Sequence, residues 1–313
     1  MRSLAFYGKG GVGKSTVVAN LAAALGQGGQ RVLQVGCDPK RDSSRNLTAT
    51  YPPVALMDLL AAGRRDLTAA DLLMDGGPGV TCIEAGGPQP GIGCAGRALG
   101  RLFEELEELR IFARGWDYVL YDVLGDVVCG GFAVPLRTGH ADEVYIVTSG
   151  ELMSLFAANN IARGVRSYAA EGEVRMGGLI ANVKDLAADR PLIDRFAARL
   201  GTRVVHYLEW SPAVRRAERR RRAVVRDAPA DPWALGLGRL AAALAAAPAL
   251  HVPEPMDDRE LDRFLDEAAR ELEADEERAA ERATAPRPAD PPAPAARAAR
   301  RRASPARGNG RRR

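Results

Sequence analysis

A glycine-rich segment near the start of the chain restricts the possible folds more than any other feature. Gly8–Thr16 reads GKGGVGKST, follows the apolar run Leu4–Tyr7 and precedes the amphipathic run Val17–Leu25. A strand, a G-x-x-x-x-G-K-S loop and a helix in this order form a phosphate-binding loop, because glycines let backbone N–H groups turn onto phosphate oxygens at the positive end of the helix. The expected binding residues are Gly8, Lys9, Gly10, Gly11, Val12, Gly13, Lys14, Ser15 and Thr16.

Three side chains of this loop have separate expected roles. Lys14 is expected to reach the β- and γ-phosphates, and the Ser15 hydroxyl to hold Mg²⁺. Lys9 is a second lysine, at the front of the loop. It is either a solvated charge or a catalytic residue that reaches a nucleotide bound by a facing subunit. The second interpretation is favoured and predicts a homodimer.

Two carboxylates follow the second predicted strand. Asp38 and Asp42 lie in a loop that is expected beside the phosphates. We expect Asp42 to reach Mg²⁺ through water, and Asp38 to orient or deprotonate the attacking water. The alternative is an acidic turn that caps the next element.

A third acid, Asp122, ends another apolar strand and is expected to serve Mg²⁺, as in other phosphate-loop enzymes. Gly125 lies where a backbone N–H can sense the γ-phosphate. Asp126 begins a second switch segment that leads to Cys129. These parts are sufficient for ATP hydrolysis by positioning and electrostatic stabilisation.

Apolar strands alternate with helical runs along the first part of the chain, which predicts an α/β fold: a P-loop NTPase with a mostly parallel sheet and helices on both faces. Ligands bind such sheets beyond the carboxyl ends of the strands, where the motifs above fall. The predicted strands are Leu4–Tyr7, Arg31–Gly36, Val80–Glu84, Tyr118–Asp122, Glu143–Thr148, Met176–Val183 and Arg203–Leu208. The predicted helices are Ser15–Gln27, Leu67–Met74, Ala98–Ile111, Leu152–Ala170, Pro191–Leu200 and Pro212–Ala223, with a surface-packed helix from Ala234 to Leu250.

Two of the four cysteines have glycine-rich surroundings. Cys94 and Cys129 are each flanked by glycines, which permits close backbone approach to a ligand, and each is expected to precede a helix N-terminus, which favours the thiolate. Two thiolates do not complete the four-cysteine site of an iron–sulfur cluster, but a two-fold homodimer supplies four. The alternative is a pair of buried free cysteines. Cys37 and Cys82 lack such flanks and are expected to be structural.

The motif-bearing segments resemble the signature segments of the nitrogenase iron protein family, over roughly residues 1–227. This family includes nitrogenase reductase and the iron–sulfur ATP-binding subunits of dark protochlorophyllide and chlorophyllide reductase. The resemblance implies a homodimer with one bridging [4Fe–4S] cluster and MgATP, which passes single electrons to a separate catalytic component. The segments that carry it are Gly8–Thr16, Gly36–Ser44, Gly86–Arg97, Tyr121–Phe132, Ser149–Met153, Ala157–Ile161 and Gly177–Asn182.

The resemblance also implies roles for individual positions. Cys94 and Cys129 match the cluster ligands, Asn182 a residue beside the adenine, and Arg97 an arginine that faces the electron-accepting partner. The positions that match nucleotide and switch residues are Lys14, Ser15, Asp38, Asp42, Asp122 and Asp126. The family's Pro-Arg-Asp near the nucleotide base is replaced here by Glu209–Pro212, so the base contacts stay unassigned.

Several partners and rival functions follow. Nitrogenase or a nitrogenase-like enzyme is the leading electron acceptor, with a tetrapyrrole reductase as the alternative, and ferredoxin or flavodoxin is the expected donor. A cluster-free ATPase of the partitioning type is a remote alternative, which explains Lys9 but not Cys94 and Cys129.

Composition adds negative expectations and three predicted parts. The net charge of +4 is too small to argue for a nucleic-acid partner, and no apolar run is long enough to span a membrane. The first strand begins at the N-terminus without room for a signal peptide, so we expect a cytoplasmic protein.

Residues 1–250 are predicted to form the P-loop ATPase and iron–sulfur domain, 251–283 an acidic amphipathic helical extension, and 284–313 a disordered tail rich in proline, alanine and arginine. The tail is either a solvated extension or an electrostatic contact.

Overall fold

The computed structural model describes residues 1–87, 95–125, 133–137, 139–172, 174–246 and 248–284. Its eight-stranded sheet has the order β3-β4-β2-β5-β1-β6-β7-β8, and every neighbouring pair is parallel except β3 with β4. The predicted α/β fold with a mostly parallel sheet is therefore confirmed. The strands are β1 Arg2–Tyr7, β2 Val32–Gly36, β3 Met74–Asp75, β4 Val80–Glu84, β5 Tyr118–Asp122, β6 Glu143–Thr148, β7 Arg175–Val183 and β8 Val204–Glu209.

Helices connect the strands and cover the sheet. They are α1 Lys14–Gln27, α2 Leu56–Ala61, α3 Ala69–Leu72, α4 Ala95–Glu108, α5 Val134–Arg137, α6 Leu152–Glu171, α7 Leu186–Arg199, α8 Pro212–Arg219, α9 Val224–Asp227, α10 Pro232–Ala245 and α11 Asp258–Thr284. Every residue of β2, β5 and β6 is buried, as expected for strands covered on both faces. Within the described part of the chain, no helix has the length and apolar character needed to cross a membrane.

Helix α10 has other bounds than the predicted surface-packed helix from Ala234 to Leu250. It runs from Pro232 to Ala245 and buries Trp233, Leu237 and Leu240 in one apolar cluster with α1 and the sheet. Leu235 is 50% exposed, so one face of the helix packs on the core and another stays at the surface.

Two other helix boundaries differ for local reasons. Helix α7 begins before Pro191, because the side chain of Asp185 accepts hydrogen bonds from the N–H groups of Ala187 and Ala188 and caps the helix there. Helix α8 ends at Arg219, because Arg221 adopts a left-handed conformation with φ 53° and the chain turns into α9.

Contacts divide the chain into Met1–Arg270 and Glu271–Arg313. Within the first unit, backbone hydrogen bonds between His251 and Met176 hold the segment that follows α10. The amide of Asn159 in α6 adds two further bonds, to the N–H and the carbonyl of Met256, at 2.9 and 3.0 Å.

Candidate nucleotide site

The phosphate loop connects β1 to α1 at the carboxyl edge of the sheet, as predicted. Gly13 has a φ of 91° and directly precedes α1, a conformation that side chains rarely adopt. A Cβ atom on Gly13 would lie 2.5 Å from Nδ2 of Asn182, and one on Gly8 would collide with the carbonyl oxygen of Val147. Only glycine fits at these two positions, so the loop is shaped by close contacts with β6 and β7.

The ammonium group of Lys14 forms an ion pair with Asp122 at the end of β5. Both side chains are almost completely excluded from solvent, and Oδ2 of Asp122 has no hydrogen-bond partner among the described residues. The lysine of the loop and the acid of the neighbouring strand are therefore brought together, as the sequence predicts.

Asp38 and Asp42 follow β2 beside this pair. Asp38 is buried, accepts a 2.8 Å hydrogen bond from the N–H of Lys40, and lies 3.2 Å from the Lys40 ammonium group. The side-chain hydrogen bond between the Lys40 ammonium group and the Asp38 carboxylate raises the pKa of Lys40. Burial, followed by the charges of Asp38 and Asp122, raises the pKa of Asp42.

The acidic side chains fit a magnesium ion. Ser15 and Asp42 line the same cavity, and Oδ1 of Asp42 is buried without a hydrogen-bond partner in the described structure, as is Oδ2 of Asp122. Magnesium prefers hard oxygen ligands of this kind. Ser15 and Asp42 are thus suitable residues to hold the ion, Asp42 through water as the sequence predicts.

Two buried side chains that the sequence analysis missed hold the loop after Asp42. Nε2 of Gln34 donates to the carbonyl and hydroxyl oxygens of Ser43, both at 2.8 Å. Oε1 of Glu84 accepts from the N–H and hydroxyl of Ser44 at 2.7 and 2.6 Å, and burial raises the pKa of Glu84 to about 8. Their signal in the sequence is a polar residue inside or at the end of an otherwise apolar strand.

The other end of the site is a cavity of about 480 Å³ that adjoins the phosphate loop. Asn182, at the end of β7, donates a 2.8 Å hydrogen bond from Nδ2 to the carbonyl of Val12, which places it in the cavity wall as predicted. Trp210 and Trp233 also line the cavity, and neither was assigned from the sequence. They come from the segment after β8 and from α10, two regions that no motif connects.

Several predicted residues have limited structural description. Cys94, Asp126 and Cys129 lie outside the described residues; α4 begins at Ala95, directly after Cys94, and Arg97 is exposed in its first turn. Gly125 is buried at the end of the segment that follows β5.

The remaining lysine and cysteines are in described regions. Lys9 is half-buried, and its side chain has neither a hydrogen bond nor an ion pair within the described ranges. Cys37 and Cys82 are buried free thiols whose pKa values are raised by burial, so both are neutral. Among the residues that the structure describes, no group of three or more His, Cys, Asp and Glu side chains is placed to hold a metal ion.

The fold, the phosphate loop and the paired Lys14 and Asp122 define a P-loop nucleotide hydrolase. Solved structures share this fold: the cell division protein MinD of Aquifex aeolicus has a TM-score of 0.62 at 19% identity over 80% of this chain and 98% of its own. MinD of Pyrococcus horikoshii with Mg-ADP gives 0.62 at 23% identity, over 79% and 97%. A ParA family ATPase of Chlorobium tepidum gives 0.61 at 22% identity, over 77% and 98%.

The family is shown by a sequence profile. Residues 2–271 match the profile described as 4Fe-4S iron sulfur cluster binding proteins, NifH/frxC family. The chain therefore belongs to the NifH/frxC family, and it is a NifH-like, ATP-hydrolysing P-loop protein. The resemblance read from the signature segments is confirmed.

Proposed function

We propose that this protein is an ATP-dependent one-electron reductase of the nitrogenase iron protein type. In this proposal a homodimer holds one [4Fe–4S] cluster on Cys94 and Cys129 of both subunits and binds MgATP at two phosphate loops. It passes electrons to a separate catalytic component, nitrogenase or a nitrogenase-like enzyme. Membership of the NifH/frxC family supports the cluster and the nucleotide.

The observation that carries the proposal is the continuity of the chain between the nucleotide site and each cysteine. Asp122, which is paired with Lys14, begins the segment that leads to Cys129. Glu84, which holds Ser44 two residues after Asp42, ends the strand from which the chain runs to Cys94. A rearrangement around the phosphates therefore has a short covalent path to both proposed cluster ligands.

Lys14 and Asp122 supply the first step. When a triphosphate binds, Lys14 exchanges its carboxylate partner for the β- and γ-phosphate oxygens, which breaks the buried ion pair. Asp122 then loses its charged partner, and its carboxylate is free to accept a hydrogen bond from water. Ser15 and Asp42 hold the magnesium ion, which supplies positive charge to the phosphates.

Other residues of the chain position the hydrolytic step. Asp38 orients the attacking water, and the backbone N–H of Gly125 senses the γ-phosphate. Lys9, whose side chain is unpaired in the described structure, reaches across the dimer interface to the transition-state charge. The cluster, when bound, supplies a low-potential one-electron carrier. Exposed Arg97 contacts the acceptor, and ferredoxin or flavodoxin is the donor.

The midpoint potential of the cluster, measured anaerobically with and without MgATP, tests the coupling. We expect MgATP to shift the potential in the wild-type protein and to leave it unchanged in Lys14→Ala, which keeps both cysteines. Equal potentials with and without MgATP in a wild-type protein that binds the nucleotide would contradict the proposal.

Anaerobic capture of partners on protein trapped with ADP and aluminium fluoride would identify the acceptor. A component with a metal cluster of the nitrogenase type is expected. Capture of a tetrapyrrole reductase instead would leave the proposed ATP-dependent reductase activity in place and would overturn only the identity of the acceptor.

A further inference from the structure

The base end of the nucleotide cavity contains a large aromatic side chain without an assigned role. Trp210 directly follows β8, and its backbone N–H donates a 2.8 Å hydrogen bond to the backbone carbonyl of Val183 at the end of β7. Its backbone is therefore fixed at the carboxyl edge of the sheet. The same cavity reaches Gly13 and Thr16 of the phosphate loop.

The indole of Trp210 is unusually open to solvent for a ring of its size. It is 45% exposed, whereas Trp233 in the same cavity wall is 2% exposed and Trp116, elsewhere in the fold, is 9% exposed. An indole exposed to water lacks the favourable free energy of apolar burial. A flat ligand stacked on the ring would bury it and so gain that free energy. The guanidinium carbon of Arg215 lies 5.6 Å from the ring centroid, so a cation supports the indole at the edge of the cavity.

The neighbouring wall is polar and well anchored. Nε1 of Trp233 lies 3.4 Å from Oδ1 of Asn182, whose Nδ2 is bonded to Val12. Asp185 and Asp189 also line the cavity. Carboxylate oxygens accept hydrogen bonds only, so they favour a ligand whose edge carries an amino group.

We propose that Trp210, supported by Arg215, is the stacking surface for the purine base of the bound nucleotide. This inference rests on the proposed function, because it assumes that the phosphate loop binds a nucleoside triphosphate. The cavity joins the indole to the phosphate loop, so one ligand contacts both. Base–aromatic stacking accepts any purine, and the two aspartates favour one with an exocyclic amino group.

Paired ligands with and without a base give the sharpest test. Dissociation constants for MgATP and for magnesium tripolyphosphate would be measured by calorimetry on wild type, Trp210→Ala and Trp210→Phe. We expect Trp210→Ala to bind MgATP about tenfold more weakly or worse, the scale of one lost base–aromatic stack. We expect tripolyphosphate affinity to be unchanged, and Trp210→Phe to recover most of the MgATP affinity because it keeps a ring.

Tryptophan fluorescence gives a second measurement with a matched control. Trp116 also has an arginine over its ring, Arg31 at 5.5 Å, but it does not line the cavity. MgATP should change the emission of wild type and of Trp116→Phe, and most of that change should be lost in Trp210→Phe.

The outcomes separate this inference from the proposed function. If the wild-type protein binds neither MgATP nor tripolyphosphate, the proposed function fails first. If it binds MgATP and Trp210→Ala binds it equally well, only the role of Trp210 is overturned. Equal weakening of both ligands in Trp210→Ala would also overturn it, because the effect would not depend on a base.

Discussion

The ammonium group of Lys14 is paired with the carboxylate of Asp122, and this contact joins the phosphate loop to the strand that leads toward Cys129. Because both groups are buried, removing either one leaves an uncompensated charge. Lys14→Ala and Asp122→Asn should each lower the free energy of unfolding, by about 3–5 kcal/mol for loss of a buried partner, and each should abolish ATP hydrolysis. The double variant should lose less than the sum, as measured by urea denaturation.

An exposed lysine provides the control for this pair. Lys184 lies 2.9 Å from Glu151 with both side chains largely in solvent. Lys184→Ala should change the free energy of unfolding much less than Lys14→Ala does, because water screens an exposed ion pair. Equal losses of unfolding free energy in Lys14→Ala and Lys184→Ala would show that the buried pair stabilises the fold no more than the exposed pair does.

Gly13 should tolerate no side chain without loss of nucleotide binding. Gly13→Ala would strain a left-handed backbone and also push against Nδ2 of Asn182, which breaks its bond to Val12. Gly29→Ala meets a similar φ of 85° with nothing within 4 Å of the added methyl group, so it isolates the backbone strain of about 1–2 kcal/mol. We expect Gly13→Ala to lose MgATP binding in calorimetry and Gly29→Ala to keep it; similar binding by both variants would contradict the contact.

Glu84 should make stability depend on pH. Burial raises its pKa from 4.5 to about 8, so between these values the folded protein holds a proton that the unfolded chain has released. The stabilisation is fully present below about pH 4.5 and is lost as the pH rises through about 8, with a slope of at most about 1.4 kcal/mol per pH unit.

Glu84→Gln removes the titration and keeps an oxygen to accept from Ser44. In urea denaturation, the free energy of unfolding of Glu84→Gln should rise relative to that of wild type as the pH increases from about 5 to about 8. A constant difference across this range would mean that Glu84 titrates normally.

Asn159 should anchor the segment that leads into α11. Its buried amide makes two hydrogen bonds to the backbone of Met256, and its loss would leave buried polar groups with fewer partners. Asn159→Ala should lower the free energy of unfolding by about 1–3 kcal/mol in urea denaturation. The neighbouring Asn160, which is only partly buried, is the control and should change it by less. Similar losses in both variants would argue against a specific anchor.

The sequence predicted the phosphate end of the site because its parts are local. The loop, Asp38, Asp42 and Asp122 each follow an apolar strand directly, and parallel strands bring such positions to one edge. All the longer strands were predicted for the same reason, whereas β3 has only two residues and too short a pattern to recognise.

The base end was beyond sequence analysis because its residues meet only through tertiary contacts. Trp210 is placed by the pairing of β8 with β7, and Trp233 by the packing of α10 against α1 and the sheet. No spacing rule connects these two tryptophans. Likewise, Glu84 is recognisable as a loop anchor only when Ser44 is seen against it.

The iron content and oligomeric state of anaerobically reconstituted protein test the central claim most directly. We predict a dimer with one [4Fe–4S] cluster whose reduced form gives an EPR signal. The cluster should be absent from Cys94→Ser and Cys129→Ser and retained in variants of the buried Cys37 and Cys82. A colourless monomer under the same conditions, or a cluster that survives both serine substitutions, would contradict the account.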